Sequence, residues 1–163
     1  MEIKIIKASP ESLKPKPDQT KLGFGKHFTD YMFSMKYKDG QGWHHAVIEP
    51  YHPLQLDPTA MCLHYGQEIF EGLKAYRGRQ NEIYLFRPLE NIKRMNASAE
   101  RLCMARIDED VFLDALKKLV SLEKDWIPTE QGSSLYIRPT LIATEAALRE
   151  HPASEYLFFI IAG

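Results

Sequence analysis

The 163 residues are 44% hydrophobic and 26% charged, carry a net charge of −1 and include two cysteines. That size and mixture suit one domain with its own core; they exclude the basic face of a nucleic-acid binder and the run of about 20 apolar residues that spans a membrane. The N-terminus lacks the apolar centre of a secretion signal, and Cys62 and Cys103, without metal-ligand spacing, read as reduced core thiols of a cytoplasmic protein.

Residues 1 to 20 contain three prolines and mixed charge, and read as an extended arm or a mobile lead-in. Phe28 to Tyr37 has the apolar and aromatic content of a strand. Residues 38 to 42 (KDGQG) form a turn by composition, and Trp43 to Glu49 returns as the second strand of a hairpin. Three prolines between Pro50 and Pro58 predict a loop. Over residues 63 to 76, Tyr65, Ile69, Gly72 and Leu73 fall at i, i+4, i+7 and i+8, which predicts one face of a helix. Glycines inside a helix cost about 1 kcal/mol each relative to alanine. Either the helix packs tightly in a core or another segment or a ligand approaches its backbone. Leu73 to Tyr76 reads alternatively as a short strand joined through a turn to a second one at Ile83 to Phe86.

Pro88 suits the first turn of a helix, and Ile92, Met95, Ala99, Leu102 and Cys103 give it an apolar stripe ending near Met104. Asp108 is a suitable N-cap for the next helix, with Glu109 and Asp110 complementing its dipole and Phe112, Ala115, Leu116, Leu119 and Val120 on its buried face. Ser134 to Ala143 is β-branched and aromatic enough for a strand despite Pro139. Glu145 to Glu150 is a short helix or turn, and Tyr156 to Ile161 is a near-continuous apolar run expected to be a buried strand. Strands, then helices, then strands argue an α+β class, with a mostly antiparallel sheet and packed helices.

Few residues suggest chemistry on spacing alone. Arg94 lies two residues beyond Ile92, about 200° round the helix and off the apolar stripe; a solvated surface arginine is one reading. Tyr136 and Arg138 share one face of a strand, as substrate ligands or as a polar pair facing solvent. The acidic pairs Glu68/Glu71 and Asp108/Asp110 read as a solvated helix face and a helix start. No His/Cys cluster has zinc spacing, and no glycine-rich loop has Walker or Rossmann form.

Four stretches in order, GFGKHFTDYMF (23–33), LHYGQEIFEGLKAYRG (63–78), YLFRPLENIKRM (84–95) and SLYIRPTLIATEAAL (134–148), resemble the branched-chain amino acid aminotransferases, which share a fold class with the D-amino acid aminotransferases. The resemblance implies a two-domain enzyme using pyridoxal 5′-phosphate (PLP), with residues 21 to 163 as its small domain behind the arm. It implies transfer of the amino group of leucine, isoleucine or valine to 2-oxoglutarate in a homodimer. It also assigns roles: Arg94 to the cofactor phosphate, Tyr136 and Arg138 to the polar end of the substrate, and Phe28, Tyr65 and Phe70 to its side-chain pocket, Tyr65 reaching across the dimer. A guanidinium suits phosphate because it makes two charge-assisted hydrogen bonds at once. No catalytic residue is expected here, because the lysine that forms a Schiff base with the cofactor belongs to the larger domain. The isolated chain is accordingly expected to be inactive. A D-amino acid aminotransferase, an aminodeoxychorismate lyase and a stand-alone binding or dimerisation module remain as alternatives.

Overall fold

A computed structural model describes all 163 residues. Its frame is one curled sheet. The strands are β1 (Lys4–Ile5), β2 (Tyr31–Lys38), β3 (Gly42–Pro50), β4 (Glu68–Phe70), β5 (Leu73–Arg77), β6 (Ile83–Leu85), β7 (Leu135–Ala143) and β8 (Glu155–Ala162). They run in the order β1-β3-β2-β8-β7-β5-β6, and β4 also pairs with β7. Every pairing is antiparallel except β1 with β3. With helices α1 (Met61–Tyr65), α2 (Pro88–Arg101) and α3 (Glu109–Leu122), the class is α+β, as the sequence pattern predicts.

The two long helices form where their start signals are placed, but α2 ends at Arg101, so Leu102 and Cys103 lie past it, exposed, and do not continue its stripe. Pro88 opens α2. Asp108 caps α3 by accepting hydrogen bonds from the backbone N–H groups of Asp110 (2.9 Å) and Val111 (3.0 Å). Ile92, Met95 and Ala99 of α2 are buried with all five predicted residues of α3. Between the helices, buried Asn96 exchanges hydrogen bonds with both backbone groups of Ile107, at 2.8 Å each. The core joins these stripes to one face of the sheet, where Phe158 stands between Phe33 and Phe112 with ring centroids 6.1 and 6.3 Å away.

The 63–76 helix does not form. Gly66 takes the left-handed conformation (φ 61°) and ends α1 after five residues. The chain then runs as β4 and β5, both paired with β7. The apolar residues Ile69, Leu73 and Ala75 face the core as strand residues, so the helical spacing over this stretch is coincidental. The alternative reading of a strand at Leu73 to Tyr76 is the one observed.

Other differences are local. Residues 145–150 hold bends and a bridge between Ala60 and Ala146, with no helix. The β8 run is not buried on both sides. Tyr156, Phe158, Ile160 and Ala162 point into the core, while Leu157, Phe159 and Ile161 are only half-buried on the opposite face. Cys62 is half-buried and Cys103 exposed, so neither is a core thiol; both are unpaired. The N-terminal arm is extended but anchored. Ile3 is buried, Ile6 N–H donates to the Ile48 carbonyl (2.8 Å), and the Asp30 carboxylate holds the Lys14 N–H (2.7 Å), Lys16 Nζ (2.8 Å) and Trp126 Nε1 (2.8 Å). No helix is long and apolar enough to cross a membrane.

Candidate functional site

Strand alternation sends Tyr136 and Arg138 to the sheet face that α2 and α3 leave uncovered, because Leu135 and Ile137 beside them point into the core. The same face carries Lys74, opposite Tyr136 in the register, and Phe70, opposite Thr140. The Arg138 guanidinium is sandwiched there. Its carbon lies 4.1 Å from the Phe70 ring centroid and 5.3 Å from that of Tyr136, close enough for cation–π attraction. Its Nε and Nη2 donate to the Tyr136 hydroxyl at 3.2 and 2.9 Å. No carboxylate pairs with Arg138, so its charge is left for an incoming anion.

Phe24 meets the Tyr136 ring edge-on at 5.2 Å. Together with Gly25, Phe28, Arg138 and Ile161 these two rings line a cavity of about 180 Å³. Phe28 is itself held flat against Tyr51, centroids 5.8 Å apart. Four of the expected site residues, Phe28, Phe70, Tyr136 and Arg138, therefore gather at one place. Tyr65 takes no part in this cluster: it ends α1, 39% exposed.

Arg94 stands off the α2 stripe, as its spacing predicts, but it is not a free surface arginine. Its side chain is 68% exposed and forms a two-pronged ion pair with Glu71, Nε to Oε1 and Nη2 to Oε2, both 2.6 Å. Glu71 itself is buried, which corrects its reading as part of a solvated helix face. It occupies the corner between β4 and β5, where its N–H donates to the Pro139 carbonyl at 3.0 Å. Burial pushes its carboxyl up, but hydrogen bonds from Arg94 and Asn91 and the charge of Arg94 outweigh that and hold it below the usual range. The same pairing raises Arg94.

Sequence spacing misses Glu71, Asn91 and Phe24. The signal available for Glu71 is its position beside Gly72 at a break between two short apolar alternations, which a helical reading hides. Gly72 follows from the site as well: a Cβ there would lie 2.5 Å from the Tyr136 hydroxyl, inside any normal contact. The close approach comes from a side chain of the site.

No protein-family model matches the chain. It is 56% identical over 148 residues to branched-chain-amino-acid transaminase 1 of Bacillus subtilis, covering 91% of this chain and 42% of the relative. Its fold matches the branched-chain amino acid aminotransferase of Escherichia coli with a TM-score of 0.61 at 20% identity, over 82% of this chain and 39% of the other. It also matches a T.th. branched-chain amino acid aminotransferase complexed with N-(5′-phosphopyridoxyl)-L-glutamate, with a TM-score of 0.57 at 24% identity over 78% of this chain and 39% of the other. The chain belongs to the branched-chain aminotransferase family and spans about two fifths of the length of the curated relatives it matches.

Proposed function

We propose that residues 21 to 163 are the small domain of a branched-chain aminotransferase that moves the amino group of leucine, isoleucine or valine to 2-oxoglutarate in a cytoplasmic homodimer. The observation that carries this reading is the unneutralised Arg138 held against Tyr136 and Phe70 on the uncovered sheet face. A guanidinium and a phenol orient a carboxylate, while Phe28 and Phe70 offer apolar walls to a branched side chain. Tyr65, exposed at the end of α1, is free to reach a partner's substrate.

PLP, when bound, supplies the carbonyl and the electron sink for amino transfer. The residues here fit its phosphate end. Arg94 is exposed and fixed in orientation, and its Nη1 makes no hydrogen bond within the chain. The rest of the work of this chain is positional: Arg138 and Tyr136 hold the carboxylate, and the aromatic cluster excludes water from the side-chain end.

The test is kinetic. The full-length protein should transaminate leucine with 2-oxoglutarate. Arg138→Ala should raise the amino-acid KM by at least tenfold, the scale of one charge-assisted hydrogen bond of about 1.5–3 kcal/mol. The 163-residue chain alone should give no turnover. Absence of transamination by the full-length protein would refute the reading.

A further inference from the structure

Burying a carboxylate is costly unless it is paired and hydrogen-bonded. Glu71 is 6% exposed, and three hydrogen bonds meet its two oxygens: Arg94 Nε at 2.6 Å, Arg94 Nη2 at 2.6 Å and Asn91 Nδ2 at 3.0 Å. Asn91 Nδ2 also reaches the Gly72 carbonyl at 3.2 Å, so α2 grips the β4–β5 corner from two sides. As a device for stability alone this is a poor choice: the carboxylate gives up its water, while its partner is largely exposed, and ion pairs in contact with solvent contribute little. It is a good choice for fixing direction. A guanidinium has five N–H donors. The carboxylate takes one edge, Nε with Nη2, which leaves one proton of Nη1 and one of Nη2 side by side on the outer edge, the pair of parallel donors that suits a phosphate. Free rotation of the arginine would lose that aim.

We propose that Glu71 is a positioning residue: it clamps the inner edge of Arg94 so that the outer edge faces the phosphate of the cofactor. This rests on the reading of Arg94 as a phosphate ligand. Asn91 donates to the Glu71 oxygen that also accepts from Arg94 Nη2, and so ties the carboxylate to α2 a second time. The corner also sets a distance. Glu71 precedes Gly72, against which the Tyr136 hydroxyl rests, so one turn of chain ties the phosphate end of the site to its carboxylate end.

The experiment measures binding of PLP and of pyridoxal, which lacks the phosphate, to cofactor-free full-length protein by equilibrium dialysis. Arg94→Ala and Glu71→Gln should each weaken PLP binding about tenfold, the size of one charge-assisted hydrogen bond. Both should leave pyridoxal binding unchanged, and the double variant should be no worse than Arg94→Ala, as for residues acting as one unit. A merely structural Glu71 would weaken both ligands alike. That result, or a loss with Arg94→Ala and none with Glu71→Gln, overturns the proposal while leaving Arg94 as phosphate ligand. Unchanged PLP binding in Arg94→Ala removes the phosphate reading and this proposal with it. Should Glu71→Gln fail to fold, Asn91→Ala, which keeps both charges, is scored by the same pair of ligands: a loss for PLP alone supports the clamp, and no loss or an equal loss overturns it.

Discussion

A methyl group on residue 72 has nowhere to go while Tyr136 keeps its position. The hydroxyl is the tip of a long side chain, so Gly72→Ala is relieved by moving that ring away, and the ring is half of the Arg138 sandwich. Overpacking of this kind typically costs about 1–3 kcal/mol. The expected result in the full-length enzyme is a raised amino-acid KM with PLP affinity nearly unchanged, because the three atoms nearest the added methyl all belong to Tyr136. Steady-state kinetics and a PLP titration on the same preparation check this; equal losses in both would contradict it.

At the level of elements, the junction of α3 with β2 is pH-dependent. Glu123, just past the end of α3, is buried and accepts the Tyr31 N–H at 2.5 Å. Burial, with the nearby Asp30 charge, pushes its carboxyl from 4.5 up to about 7, against the opposing hydrogen bond from Tyr31 and the charge of Lys16. The folded state therefore binds more protons than the unfolded state between those values, so this group's contribution falls as pH rises from about 4.5 to about 7 and is level above that, a total on the order of 3 kcal/mol. Asp30 and Glu71, both held below their usual range, act in the opposite sense and weaken the fold as pH falls through their own lowered values. Glu123→Gln keeps an acceptor for Tyr31. It should melt near wild type at pH 5 and above wild type at pH 8; a difference independent of pH would contradict the assignment.

How much of this was legible in the sequence also divides by element. The helices α2 and α3 were readable because each is long and amphipathic, opens on a start signal (Pro88 for α2, the Asp108 cap for α3), and repeats its buried stripe over several turns. The stretch 63–76 was not. Two strands of three and five residues, broken by glycines, carry too few alternations to outweigh an accidental helical spacing, and their partners in β7 are 60 or more residues away in sequence. The paired faces of Tyr136 and Arg138 followed from period two alone. Glu71 was hidden because its burial depends on Arg94 and Asn91, both from α2, which local pattern cannot bring to it. The assignment of Phe28 and Phe70 to one pocket came from family resemblance; nothing in spacing joins residues 28, 70 and 138.

At the scale of the whole molecule, the sheet is covered by helices on one side and carries Phe70, Tyr136 and Arg138 on the other. Phe24, Phe70, Tyr84 and Phe86 are each more than half exposed. On the proposed function this chain supplies ligands for the cofactor phosphate and the substrate carboxylate, and the lysine that bonds the cofactor lies outside residues 1 to 163. A lysine suited to that bond must be held deprotonated against the cofactor, through burial or a neighbouring cation. Lys74, opposite Tyr136 in the strand register, is exposed. The most direct measurement is borohydride reduction of the PLP-loaded full-length protein, followed by peptide mapping by mass spectrometry. One lysine outside residues 1 to 163 should be labelled to completion, with only scattered, substoichiometric label within them. Complete labelling of a lysine in this chain, Lys74 or Lys93 for example, would contradict it.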